Sequence, residues 1–251
     1  METDTTITEY AFPVELAGKS MTWAFRFPQT AGYLRPWLGA PLDDVPPDAL
    51  RVTDEDFAAW DGRGISCSAV GEADLICIPA SEALMPDGCV FHAAAIRFMN
   101  HAFLIAAGSG VGKSTQVKTL RELYLSEVGV ISGDKPILRC REDGSIVVHP
   151  SPWNGKEGWR GADAAPLGGI FLLRRGEKNA MEPLSPAQAS AWVFMQIFQS
   201  YRDGDSIHRA GETAERILRS APVWMMTNKG VPDSTRLMYE TMLQEVTGNG
   251  T

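Results

Sequence analysis

Short apolar runs broken by Gly, Pro and Asp predict strands at residues 7–14 and 20–27, with Ala17-Gly18 as the turn between them. A short helix is expected at 31–38, then a Pro-rich connection at 41–47. Thr53-Asp54-Glu55-Asp56 carries helix-cap chemistry ahead of Phe57-Ala58-Ala59-Trp60. Residues 64–70 and 74–78 read as a hairpin turning at Gly71-Glu72-Ala73. Tyr10, Trp23, Phe25, Phe27, Tyr33, Trp37 and Trp60 are expected in the core of this first lobe rather than on a base-stacking surface, because rows of exposed aromatics are uncommon. Pro86-Asp87-Gly88 is the expected boundary, dividing a smaller α+β lobe, 1–88, from a C-terminal domain, 89–251.

Beyond that boundary, residues 89–98 alternate weakly, Met99-Asn100-His101 makes a turn, and 102–107 is apolar enough for a buried strand. A helix over 116–125 and a short strand over 128–132 follow, ending at Gly133-Asp134-Lys135-Pro136. Residues 137–141 and 145–149 predict a hairpin across Glu142-Asp143-Gly144. The stretch 150–161 is too rich in Gly and Pro for regular structure, and long loops in compact domains are often functional. The chain then reads as a strand at 169–174 and a helix opening at Ser185-Pro186 and running to 199. Ala191, Phe194, Met195 and Phe198 stand at core-face spacing on that helix. A helix at 210–220, a strand at 222–227 and a helix at 233–246 close it. Strands alternating with helices make the fold class α/β.

The composition is that of an ordinary globular protein: 251 residues, 44% hydrophobic and 22% charged. A net charge of -8 argues against broad attraction to nucleic acid or an anionic membrane, so neither is expected as a partner. The four cysteines form no C-x-x-C pair and three sit in apolar runs, which favours buried free thiols over disulfides or zinc. The N-terminal residues are polar and acidic, and no apolar run reaches bilayer length, so a cytoplasmic location is expected.

The chemistry concentrates at Ala107-Gly108-Ser109-Gly110-Val111-Gly112-Lys113-Ser114-Thr115, where a buried strand empties into a glycine-rich loop and a helix opens. This is the phosphate-loop (Walker A) pattern with Ala107 at its first position. Glycines let successive N–H groups curl into an anion-binding nest, and the helix adds its positive end. Gly108, Ser109, Gly110, Val111 and Gly112 would cradle phosphates together with Thr115. Lys113 would reach the outer phosphates, and the Ser114 hydroxyl would ligate Mg²⁺.

The block 92–134 resembles the HPr kinase/phosphorylase family and its smaller relatives, the HPr-kinase-like serine kinases of bacterial clusters. These share a core with the ATP-dependent phosphoenolpyruvate carboxykinases. The resemblance rests on His92 in Phe91-His92-Ala93-Ala94, the hairpin after it, the loop 107–115, Ile131-Ser132-Gly133-Asp134, and the strand and helix from Ala221-Pro222-Val223-Trp224 to Met242. It covers about residues 86–246. Gly133 stands where the family usually places the first of two adjacent acids, and no Glu-x-Arg-Gly segment occurs, which argues against HPr as the substrate.

The resemblance implies an ATP- and Mg²⁺-dependent kinase that moves the γ-phosphate to a serine-type hydroxyl of a peptide or protein. A small-metabolite kinase, or a nucleotide-binding regulatory protein without transfer, remains as an alternative. Asp134 suits either of two tasks, holding Mg²⁺ or taking the proton of the attacking hydroxyl; the resemblance implies the second or both. His92 would hydrogen-bond the γ-phosphate or orient Asp134. Lys156 and Arg160, in the Gly/Pro-rich loop, are candidates to meet charge developing on the transferred group, or else are solvated loop charges. Rings formed by true HPr kinases leave a homo-oligomer open.

Overall fold

The structure, a computed structural model, describes residues 9–108, 110–161 and 163–248. Residues 7 and 8 of the first expected strand, and Ser109 of the loop, lie outside them. The chain divides into two compact units, Met1–Ala83 and Leu84–Thr251.

The first unit opens with an antiparallel hairpin of β1 (Tyr10–Leu16) and β2 (Lys19–Phe25), turning at Ala17 and Gly18. Helices α1 (Thr30–Leu34), α2 (Asp54–Asp61), α3 (Ala69–Leu75) and α4 (Cys77–Leu84) follow. Thr53 caps α2 in a reciprocal box with Asp56, as its sequence implied. The hairpin expected over 64–78 is instead α3 running into α4. Ser68 starts α3 by accepting from the Gly71 N–H, so the Gly71-Glu72-Ala73 group is a helical first turn rather than a β-turn. Glu72 is buried within the unit. Its carboxylate accepts from the Arg26 and Phe27 N–H groups and the Thr30 hydroxyl, and burial pushes its pKa up. Among the aromatics, Trp23 and Phe25 are fully buried, whereas Tyr10 and Tyr33 face solvent.

The second unit is built on one large mixed sheet of β3 (Gly88–Val90), β4 (Ala94–Phe98), β5 (His101–Ala107), β6 (Val128–Ser132), β7 (Ile137–Cys140), β8 (Ile146–His149), β9 (Ala165–Arg175), β10 (Ala180–Leu184) and β11 (Val223–Asn228). Helices α5 (Lys113–Leu123), α6 (Pro186–Phe194), α7 (Gly204–Ser220) and α8 (Asp233–Thr247) flank it. The strand order is β3-β7-β8-β9-β5-β4-β6, and β11 adds to β9 and then pairs with β10. β5, β9 and β11 run parallel. β4 is antiparallel to both β5 and β6, so β6 points the same way as β5. The carboxyl ends of β5, β6, β9 and β11 therefore share one edge of the sheet.

Both faces of the central strands are covered, which is why 102–107 and 170–173 read as unbroken apolar runs. Ala102, Leu104 and Ala106 pack with Ile170 and Leu172 against α6 and α7 residues such as Val193, Ala210 and Ile217. Phe103, Ile105 and Ala107 pack with Phe171 and Leu173 against Val117 and Leu120 of α5 and Met238 and Met242 of α8. A buried polar bolt also joins α5 to α8. Gln116 donates to Ser234 Oγ at 2.7 Å and accepts from Thr235 Oγ1 at 2.7 Å.

Several boundaries differ from expectation. α6 buries Ala189 and Val193, with Ile197 just beyond its end; of the expected face Phe194 packs half-buried against the core, whereas Ala191 and Met195 are exposed. The helix closes at Phe194 because residues 196–198 leave it to bond the β3 end of the sheet, through His92 N to Gln196 O and Phe198 N to Val90 O. α7 begins at Gly204, capped by Asp203, earlier than its apolar spacing suggested. Strand β10 carried too little apolar signal to be expected at all; it is an edge strand, and none of its residues is fully buried. No helix among the described residues is long and apolar enough to cross a membrane.

Candidate functional site

The glycine-rich loop sits at the shared carboxyl edge, between the end of β5 and the start of α5. Gly110 and Gly112 adopt φ of +75° and +115°, which side chains with a Cβ rarely tolerate. Gly112 is the cap residue of α5 and offers no side-chain acceptor, and the first turn carries no acid. The positive end of an eleven-residue helix is thus left without a carboxylate of its own. The Gln116 N–H closes back onto the loop, at Gly112 O.

Opposite the loop stands Asp134, just past the end of β6. The Ser132 hydroxyl donates to its carbonyl at 2.5 Å and the Ser151 hydroxyl at 3.4 Å, and both serines are fully buried. This clamp holds the backbone from which the carboxylate projects. Lys113 Nζ donates to Asp134 Oδ1 at 2.8 Å, and His92 Nε2 lies 3.9 Å from the same oxygen. His92 reaches this point because it immediately precedes the β4 end that pairs with the end of β5. It packs edge-on against Phe198. The three residues come from well-separated segments, and the sheet order is what brings them together.

A cavity of about 430 Å³ opens between these elements, lined by His92, Lys113, Ser114, Asp134, Asn154 and Lys156 among others. Gly108, Gly110, Gly112 and Thr115 also line it, while Val111 turns toward a neighbouring cavity. Of the two loop cations, Lys156 reaches the cavity rim. Arg160 does not; it is exposed, and its backbone bridges to Ser132.

Loop 150–161 is anchored rather than free-swinging. Gly133 N donates to Trp159 O and Gly161 N to Ile131 O, both at 2.9 Å. Trp153 is buried, and Trp159 packs on the core below α5. Only the tip near Gly155 and Gly158 projects, carrying Lys156 and Glu157.

The same packing accounts for Gly133. A Cβ there would lie 2.6 Å from Asn154 O and 3.1 Å from Trp159 O, so the loop backbone occupies the space a first acid would need. Glu157, which also lines the cavity, is a carboxylate that sequence reasoning passed over, as it did Asn154, whose buried Oδ1 has no partner among the described residues. Arg175 follows a strand with no spacing that ties it to the site, yet its guanidinium donates to Gly110 O across the loop. Its signal is position at the end of a strand parallel to β5, which local pattern does not reveal.

Besides the His92 imidazole, the site presents oxygen ligands for a metal. Ser114 and Asp134 line one cavity and offer a hydroxyl and a carboxylate, a set that suits Mg²⁺ completed by phosphates and water. Among the described residues no group of three or more His, Cys, Asp or Glu forms a metal centre by itself. The cysteines stand apart from this chemistry. Burial pushes the Cys89 thiol well up, and that of Cys140 is raised despite its contact with Arg216.

No protein-family model matches the chain, and none of the curated proteins matches it significantly. Among solved structures it is similar to the Hpr(Ser) kinase/phosphatase from Coxiella burnetii, at 11% sequence identity and a TM-score of 0.37, over 64% of this chain and 91% of that one. A likeness at that level is distant, and it fixes no activity.

Proposed function

We propose that the second unit binds Mg·ATP and transfers its γ-phosphate to a serine-type hydroxyl of a peptide or protein. The observation that carries this reading is Lys113, at the positive end of α5, held 2.8 Å from an acid whose backbone is clamped by a buried serine. The loop amides and Lys113 bind the β- and γ-phosphates. A Mg²⁺ ion held by Ser114 and Asp134 would neutralise charge between those phosphates. An entering phosphate competes for the Lys113 ammonium, which loosens the ion pair and leaves Asp134 to receive the acceptor's proton. His92, at 3.9 Å, keeps the carboxylate oriented, and Lys156 at the rim meets charge on the outer oxygens. Positioning and charge neutralisation supply most of the rate in such a transfer.

The test uses the whole chain with radiolabelled Mg·ATP, and water serves as the default acceptor. Wild type is expected to bind ATP and to release labelled phosphate slowly. Asp134→Asn should bind ATP and lose release, and Lys113→Met should lose both while melting near the wild-type temperature. Full phosphate release by Lys113→Met would refute the assignment. Saturable binding without any γ-phosphate loss, in wild type, would favour a nucleotide-binding regulatory protein, the reading that Gly133 supports.

A further inference from the structure

We infer that the base and ribose of the nucleotide bind in a second cavity, across the phosphate loop from Asp134, where the Asn228 amide reads the base edge. This inference rests on the nucleotide reading above and adds to it the place and chemistry of nucleoside recognition.

The topology supplies the first argument. β6, which carries Asp134, lies on one side of β5, whereas β9 and β11 lie on the other and run parallel to it. In open sheets of this kind, ligands settle outside the carboxyl ends of parallel strands. Here those ends deliver the loop, Arg175-Gly176 and Asn228-Lys229 side by side. Between them is a cavity of about 350 Å³, lined by Val111, Thr115, Arg175, Asn228, Lys229 and Val231. It shares Gly112 and Thr115 with the phosphate cavity, so a molecule anchored by its phosphates at Lys113 can extend directly into it.

The lining suits a nucleoside. Val111 and Val231 give apolar surface for a flat ring, and Val231 is 39% exposed. No carboxylate lines the cavity, while Arg175 and Lys229 add two cations beside the path of the phosphate tail.

Asn228 carries a donor and an acceptor on one planar group, the arrangement that pairs with an adenine edge. Its Oδ1 is buried and has no hydrogen-bond partner among the described residues. A lone buried acceptor is costly until a donor meets it, and Asn228 is one of the residues that line the cavity. Its Nδ2 lies against Gly112, where a Cβ would stand 3.4 Å away, so the amide sits at the junction of the two cavities.

The segment is also preorganised. Lys229 N donates to Asn179 Oδ1 at 2.8 Å, Gly176 N donates to Asn228 O at 3.2 Å, and the Gln116–Ser234 bond ties the start of α8 to α5. A binding loop fixed in advance loses less entropy when its ligand arrives.

Calorimetric titration of the full chain with Mg·ATP and with Mg·tripolyphosphate tests this. Wild type should bind ATP at least about tenfold more tightly than tripolyphosphate. Asn228→Ala, and separately the surface variant Val231→Ser, should each shrink that ratio toward one while tripolyphosphate affinity holds. Equal affinity of wild type for both ligands would overturn the nucleoside site and leave the phosphate loop standing. So would a preference for ATP that survives both substitutions. Failure of both ligands to bind would overturn the nucleotide reading and this inference together.

Discussion

Replacing Gly133 with Asp restores, on paper, the acid pair that the resemblance leads one to expect, and it should damage the protein. The new Cβ would meet Asn154 O at 2.6 Å, Trp159 O at 3.1 Å and Trp159 Cβ at 3.2 Å. All three contacts are shorter than the about 3.5–4.0 Å at which carbon atoms pack best. Two of the three neighbours are backbone oxygens of a loop pinned on both sides, so no flexible side chain can move aside. Relief requires lifting residues 154–159 away from β6, which breaks the bond from Gly133 N to Trp159 O. Overpacking costs about 1–3 kcal/mol, and the lost hydrogen bond about 1 kcal/mol more.

For a unit of this size each kcal/mol lowers the melting temperature by about 2–4 °C, which makes the expected fall about 5–15 °C. Scanning calorimetry or thermal circular dichroism reads it directly. Gly133→Ala is the decisive companion: if the Cβ is what the loop cannot accommodate, Ala should produce most of the drop seen with Asp. Melting of either variant within about 2 °C of wild type, or increased phosphate release by Gly133→Asp, would refute the packing argument.

Two further outcomes follow from the same structure. Gln116→Ala strands the Ser234 and Thr235 hydroxyls in a buried site, at about 1–3 kcal/mol for each unsatisfied group, and should lower the melting temperature without changing the glycine loop's own residues; an unchanged melt would show that these hydroxyls find other partners. His149 has its pKa held below 6.5 by burial first and by Arg139 and Arg141 next, so it stays neutral in the fold where the unfolded chain takes up a proton. Its contribution is present above about pH 6.5 and is lost as pH falls through the window below that value. Chemical denaturation from pH 7.5 to 5 should show stability declining with acid, and His149→Asn should flatten that slope.

Local pattern was enough to locate most strands and helices of the second unit, the glycine-rich loop between β5 and α5 and the cap at Thr53, because each is decided within a few residues. It failed where a segment's role is set by what touches it. Gly71 reads as a turn until Ser68 is seen capping a helix, and the core face of α6 depends on which side of the sheet it meets. Strand β10 is visible only through its pairing with β11.

The glycine spacing and Lys113 at a helix start were dictated by the chain alone, because backbone curvature and helix polarity are local properties. That Asp134 faces Lys113, that loop 150–161 excludes an acid at Gly133, and that Arg175 and Asn228 stand beside the loop were decided by the order of strands in the sheet. Strand order depends on which residues far apart in sequence bury one another's apolar faces, and no short stretch of the chain carries that information.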